Sequence, residues 1–264
     1  MNVAAARSFL FVPGHRPDRF AKAEAAGADV VVLDLEDAVG AGLKAQAREN
    51  VRAWLEAGHE AVVRINAADT PWFTEDVAVA GMLATAVMVP KAEDPDMLGQ
   101  LSDVAIIPLL ETALGIARSV DLCGAPAVIR AAFGSVDLAA ELGVDHRSQD
   151  ALRHARSAVV LAAAAEGRPG PIDGVTTTLD DEGALTADIG AAITLGFSGK
   201  LCIHPRQVDP VNRAFTPSDA DVQWARDVLA SSSGDGSVVV LNGQMIDRPV
   251  LLRAERILAR VAAQ

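Results

Sequence analysis

Tyrosine is absent from this chain, aromatic residues make up 4% of its 264 positions, and there are only two cysteines. Cys123 and Cys202 lie in apolar stretches with neither redox nor metal-type spacing, which leaves no disulfide framework and makes them small buried hydrophobes. The five histidines (His15, His59, His146, His154 and His204) show no paired spacing, and no thiol stands near the acidic clusters, so a zinc site is disfavoured. No apolar run reaches the ~18 residues that a membrane helix requires. The first such run, residues 8–12, is too short for a secretory signal and has no cleavage pattern behind it. A basic surface is missing as well: 23 Lys and Arg against 35 Asp and Glu give a formal charge of -12, which argues against a nucleic-acid backbone as partner. The expectation is a soluble cytoplasmic protein, bound to neither nucleic acid nor membrane. Its singly scattered basic residues would each answer one anionic group of a small molecule.

What the chain does have is apolar bulk and regular alternation. Half of its residues are hydrophobic and the mean hydropathy is positive, ample for a large core in one barrel of roughly 250 residues or in two small domains. Short β-branched runs at 8–12, 30–35, 61–65, 86–89, 104–110, 128–133, 172–175 and 200–203 alternate with amphipathic segments such as 18–26, 43–57, 148–166 and 182–195. Several of these segments end in glycine, as helix C-termini often do. Strands that are apolar throughout and joined by helices form a parallel sheet covered on both faces. An open doubly wound sheet would show G-x-G-x-x-G after its first strand; here Pro13-Gly14-His15-Arg16-Pro17 follows instead. Eight strands therefore predict a (β/α)₈ TIM barrel over residues 1–205. A C-terminal helical extension follows over 206–264, with helices near 207–213, 220–230 and 250–263, a turn at 231–236, a strand at 238–241 and a loop at 242–248. It is expected to pack on the barrel or on a neighbouring subunit rather than stand alone.

A barrel keeps its chemistry at the C-terminal ends of its strands. Those ends carry Asp34-Leu-Glu36-Asp37, Arg64-Ile-Asn66, Pro90-Lys91, Glu111-Thr112, Gly134-Ser-Val-Asp137 and His204. Glu111 stops the run Val104-Ala-Ile-Ile-Pro-Leu-Leu110, and Asp137 closes the next one. Each could merely compensate a following helix. Together with Glu36 and Asp37 they would crowd one cavity with negative charge, which a hard cation held by one or two carboxylates relieves. Magnesium on Glu111 and Asp137 is the expectation. Arg64 interrupts a buried strand, and its planar fork suits either Glu36 or Asp37 or a substrate carboxylate. Lys91 could form a Schiff base, although surrounding acids would keep it protonated. His204 reads as a general base or as a strand-end hydrogen bond. Asp180-Asp181-Glu182 reads as a helix start.

Phe9-Leu-Phe-Val-Pro-Gly14, Leu33-Asp-Leu-Glu-Asp-Ala38, Val63-Arg-Ile-Asn66, Leu109-Leu-Glu-Thr112, Phe133-Gly-Ser-Val-Asp137, Cys202-Ile-His-Pro205 and Gly243-Gln-Met-Ile-Asp-Arg-Pro-Val250 occur in order along nearly the whole chain. As a set they resemble the citrate lyase beta-chain-like proteins of the HpcH/HpaI aldolase family. The resemblance implies a magnesium-dependent carbon–carbon lyase of barrel fold that assembles as a homotrimer. Its substrate would be a 3-hydroxyacyl-CoA such as citryl-, malyl- or citramalyl-CoA, cleaved through a metal-stabilised enolate. Glu111 and Asp137 would hold Mg²⁺, with Glu111 also facing the substrate; Arg64 would bind a substrate carboxylate or carbonyl. Asp37 or Asp247, the latter from a neighbouring subunit, would move the proton. Alternatives on the same site are an aldolase of free 2-keto acids, an acyl-CoA thioesterase, and a non-catalytic ligand-binding subunit.

Overall fold

The computed structural model of the protein describes residues 1–101, 103–231, 238–241 and 243–262. Two compact units emerge, Met1–Arg213 and Ala214–Gln264. In the first, eight parallel strands close into a barrel: β1 (Ser8–Pro13), β2 (Val30–Asp34), β3 (Val62–Arg64), β4 (Ala86–Val89), β5 (Ile106–Leu110), β6 (Ala132–Phe133), β7 (Ile172–Asp173) and β8 (Gly199–Cys202), with β8 pairing back onto β1. Helices connect successive strands, among them Lys44–Glu56, Phe73–Leu83, Gln149–Ala165 and Glu182–Leu195. The last of these stops at Gly196, whose φ of 106° gives the left-handed C-cap that a side chain would resist. Among the described residues no helix is long and apolar enough to cross a membrane.

The inner face of the sheet follows from period-two alternation. Phe9, Val30, Val32, Val62, Ala86, Met88, Ile107, Leu109, Ala132, Ile172 and Leu201 fill the barrel interior. Continuing each inward row by two residues brings Phe11, Asp34, Arg64, Glu111 and Gly134 to the C-terminal mouth. Polar groups thus sit where the apolar stack runs out.

The sixth and seventh strands are shorter than their hydrophobic runs suggest. Val128, which follows Ala127 at a positive φ of 62°, contributes only an isolated bridge to Ile106, and the named strand begins at Ala132. Arg130 is wholly buried. Its guanidinium donates to Gly170 O, Ala6 O, Val3 O and Ser198 Oγ and lies over the Phe9 ring. It closes the end of the barrel opposite the mouth.

In the second unit, helices Asp219–Ser231 and Arg248–Ala262 enclose Ala225, Val228, Ile246 and Ala254. Ser218 caps the first helix by accepting the Asp221 amide. The expected 242–248 loop contains a further strand, β10 (Gln244–Ile246), antiparallel to β9 (Val239–Leu241). The Asn-Gly pair at 242–243 is the short-range signature of such a hairpin; hydrophobic alternation alone does not reveal it. The predicted turn after position 231, and positions 242 and 263 of the expected loop and helix, lie outside the described residues.

Candidate functional site

Asp34 and Arg64 are register partners on β2 and β3, so their side chains leave the sheet side by side. Arg64 Nε and Nη2 donate to the two Asp34 oxygens, each at 2.7 Å, a bidentate fork. Its Nη1 lies 2.9 Å from Glu36 Oε2, an ion contact without hydrogen-bond geometry. The salt-bridge partner of Arg64 is therefore Asp34 together with Glu36; the expected alternative, Asp37, is exposed. Asp34 has further duties, accepting the amides of Glu36 and Ala38 and shaping the turn after β2. Burial works against the Arg64 charge, but Asp34 and Glu36 outweigh it and hold the guanidinium firmly protonated. Phe11 covers its face, 4.7 Å from ring centroid to Cζ.

Glu111 is 3% exposed. Its Oε1 accepts the Lys91 amide at 3.0 Å. Only glycine at 134 lets the backbone pass this close to Glu111: a Cβ there would stand 2.3 Å from Glu111 Cβ and 2.6 Å from Oε2. Burial pushes the Glu111 pKa up to about 8, and the charges of Glu36 and Asp137 add to this, against partial relief from Arg64 and the Lys91 amide. Asp137 is half-buried in the first turn of helix Ser135–Leu142, not at the strand end itself. The two predicted metal carboxylates are thus brought within electrostatic reach of each other. Glu36, also buried, has its pKa raised by desolvation despite Arg64.

Lys91 Nζ reaches Glu36 Oε1 at 3.2 Å. Burial opposes its charge, but Glu36 prevails and the pKa is raised, which works against the neutral amine a Schiff base needs. Lys44, buried at the start of its helix, donates to Leu35 O, Glu36 O and Asn66 Oδ1 at 2.6–2.8 Å. Asn66 is held by Asp76, which pairs with Arg48. Sequence reading missed Lys44, since a lone lysine opening an amphipathic helix looks like solvated surface. It also missed the buried Arg156–Asp173–Lys200 cluster that joins β7 to β8.

His204 accepts the Arg206 amide and shares a capping box with Gln207, the strand-end hydrogen-bonding role. Asp181 caps helix Glu182–Leu195 by accepting the Ala184 amide. Cys123 and Cys202 are buried, free thiols. Asp247 belongs to the second unit, where its carboxylate accepts the Val250 amide at the start of helix Arg248–Ala262.

At the mouth, Asp34, Glu36, Asp37, Glu111 and Asp137 outnumber Lys44, Arg64 and Lys91 by two. Among the described residues no three His, Cys, Asp or Glu side chains form a complete metal cage. A magnesium site asks less of the protein: one or two carboxylates, with water and substrate completing the octahedron. A buried carboxylate destabilised as an anion, in a mouth where acids outnumber bases by two, fits a divalent cation.

Residues 7–205 match the HpcH/HpaI aldolase/citrate lyase family. A citrate lyase subunit beta-like protein of Mycobacterium tuberculosis is 40% identical over 264 residues, covering 97% of this chain and 96% of its own. A (3S)-malyl-CoA thioesterase of Cereibacter sphaeroides is 34% identical, covering 97% and 95%. The crystal structure of protein CitE from M. tuberculosis in complex with magnesium, acetoacetate and coenzyme A superposes with a TM-score of 0.85 at 38% identity, covering 98% and 99%.

Proposed function

The chain belongs to the HpcH/HpaI aldolase/citrate lyase family and is an enzyme of the lyase class, and we propose that it cleaves or forms the carbon–carbon bond of a 3-hydroxyacyl-CoA of the citryl-, malyl- or citramalyl-CoA type with Mg²⁺ as cofactor. The observation that carries this is the Glu111–Asp137 pair in a mouth holding two more acids than bases, with Glu111 pushed up to about 8 by burial and its acidic neighbours. Bound there, magnesium would supply a Lewis acid for the oxygens whose charge changes during cleavage.

The residues of the chain divide the remaining work. Glu111 and Asp137 would hold the cation, and Gly134, where a Cβ would collide with Glu111, leaves that carboxylate free to keep its place. Arg64, immobilised by Asp34, orients the carboxylate of the electrophilic fragment. Asp37, exposed at the end of β2, or Asp247 from a neighbouring subunit takes the hydroxyl proton. The bond then breaks, its electron pair passes to the thioester fragment as an enolate, and the proton returns to that carbon. Assembly as a homotrimer would place the 206–264 extension against the next subunit's barrel, bringing Asp247 to the mouth. The cytoplasm, where the two buried thiols stay reduced, is the compartment this reading implies.

Assays of malyl-, citramalyl- and citryl-CoA, with magnesium or with chelator, test the proposal. Turnover by the wild type that needs magnesium, and its loss in Asp137→Ala with the thermal midpoint retained, is the expected result. Unchanged activity in the variant would refute it. Similarity to the C. sphaeroides thioesterase favours one second reading, hydrolysis of a malyl thioester at the same site. Free coenzyme A and malate, in place of acetyl-CoA and glyoxylate, would identify it.

A further inference from the structure

Arg64 spends its donors inside the protein. Nε and Nη2 are taken by Asp34 at 2.7 Å each and Nη1 faces Glu36; the side chain is 12% exposed. A group so committed can orient one substrate carboxylate through its remaining N–H bonds. A second carboxylate needs another cation.

Lys91 has the opposite character. Its side chain is 43% exposed, and among the described residues its ion partner is Glu36 at 3.2 Å, longer than the two contacts that Arg64 makes with Asp34 and Glu36. It stands next to the cation site, since its own amide donates to Glu111 Oε1. Its φ of 48° is uncommon for a residue with a Cβ. A non-glycine residue held in this region stores strain that persists where the surroundings over-determine it, often at ligand clamps. Here one backbone turn directs the amide at Glu111 and the ammonium toward Glu36 across the mouth.

We propose that Lys91 is a substrate-binding, specificity-determining residue that takes a second carboxylate on the electrophilic fragment, so that the site prefers dicarboxylic over monocarboxylic partners. This rests on the lyase reading above and adds to it the residue that reads the substrate's charge. A flexible, strongly hydrated ammonium suits an acid whose length varies, whereas the Arg64 fork does not move.

Calorimetric titration of freshly dissolved oxaloacetate and pyruvate, each with saturating Mg²⁺, tests this, because the two differ by one carboxylate. The wild type should bind oxaloacetate at least about tenfold more tightly, the scale of one charge-assisted hydrogen bond. Lys91→Met should bring oxaloacetate down to the pyruvate level and leave pyruvate and Mg²⁺ affinities within about threefold. Lys91→Arg should restore the preference. Lys91→Gly, which adopts the same φ without strain, gives the same readout should Met unsettle the loop. Equal weakening of both acids, no change for oxaloacetate, or loss of Mg²⁺ affinity in the variants overturns the Lys91 assignment alone. A wild type that binds neither acid overturns it together with the lyase reading.

Discussion

Glu111→Gln removes a charge that the folded protein resists forming. The Glu111 carboxyl titrates near 4.5 in an unfolded chain and at about 8 in the metal-free fold, because burial and then Glu36 and Asp137 disfavour the anion. Between those values the native state keeps a proton that the unfolded state has released. The slope of stability with pH is negative there. The stabilisation is fully present below pH 4.5, shrinks as pH rises, and is gone above about 8. At ~1.4 kcal/mol per unit the whole interval amounts to roughly 5 kcal/mol, and with Glu36 responding as Glu111 ionises, about 3 kcal/mol is the working figure. For a chain of this size that corresponds to roughly 6–12 °C in thermal midpoint. Melting both proteins in chelator from pH 5 to 9 should show the wild type falling more steeply by that amount, with the neutral isostere flatter and more stable at pH 8.5. Saturating Mg²⁺ should raise the wild type at pH 8.5, by ~2.7 kcal/mol at a hundred times Kd, and barely affect the variant. Parallel curves in chelator would refute the reasoning, since they would mean that Glu111 is ionised at no cost in the fold.

Other consequences are equally open to measurement. Gly134→Ala forces a Cβ to within 2.3 Å of Glu111 Cβ, so calorimetry should show Mg²⁺ affinity weakened at least about 100-fold, with a modest loss of stability. Arg130→Met takes the buried guanidinium away from the Val3 and Ala6 carbonyls; denaturation should show a loss of about 3 kcal/mol or more, while kcat of the folded fraction is unchanged. Burial pushes the Cys123 and Cys202 thiols up to about 11 and about 12, so a disulfide reagent at pH 8 should leave the native protein unmodified and titrate two thiols after unfolding. Rapid labelling of the native state would contradict their burial.

Much of the fold and the rim of the site can be read without coordinates, because both rest on local periodicity. Continuously apolar runs such as Val30–Leu33 declare a strand covered on both faces, and eight of them separated by helices leave few alternatives to a barrel. The same period of two places Asp34, Arg64 and Glu111 at the mouth, since each continues an inward row. Sequence spacing therefore singles out the acids as a set.

Pairing among them is a different matter. That Arg64 faces Asp34 rather than Asp37 depends on the register between β2 and β3, and strand register is decided by long-range packing. Lys44 looks like surface until the fold wraps its ammonium in two carbonyls and Asn66. Arg130 in an apolar run gives no sign that it will close the far end of the barrel. The height to which the Glu111 pKa rises comes from desolvation and from charges distant in sequence, neither of which exists before the chain closes. Sequence alone determined the type and order of the barrel strands and the residues at their ends, because period and propensity are local. Tertiary structure decided which charges meet and at what electrostatic cost, because Coulomb energy and desolvation depend on distances that only the closed barrel sets.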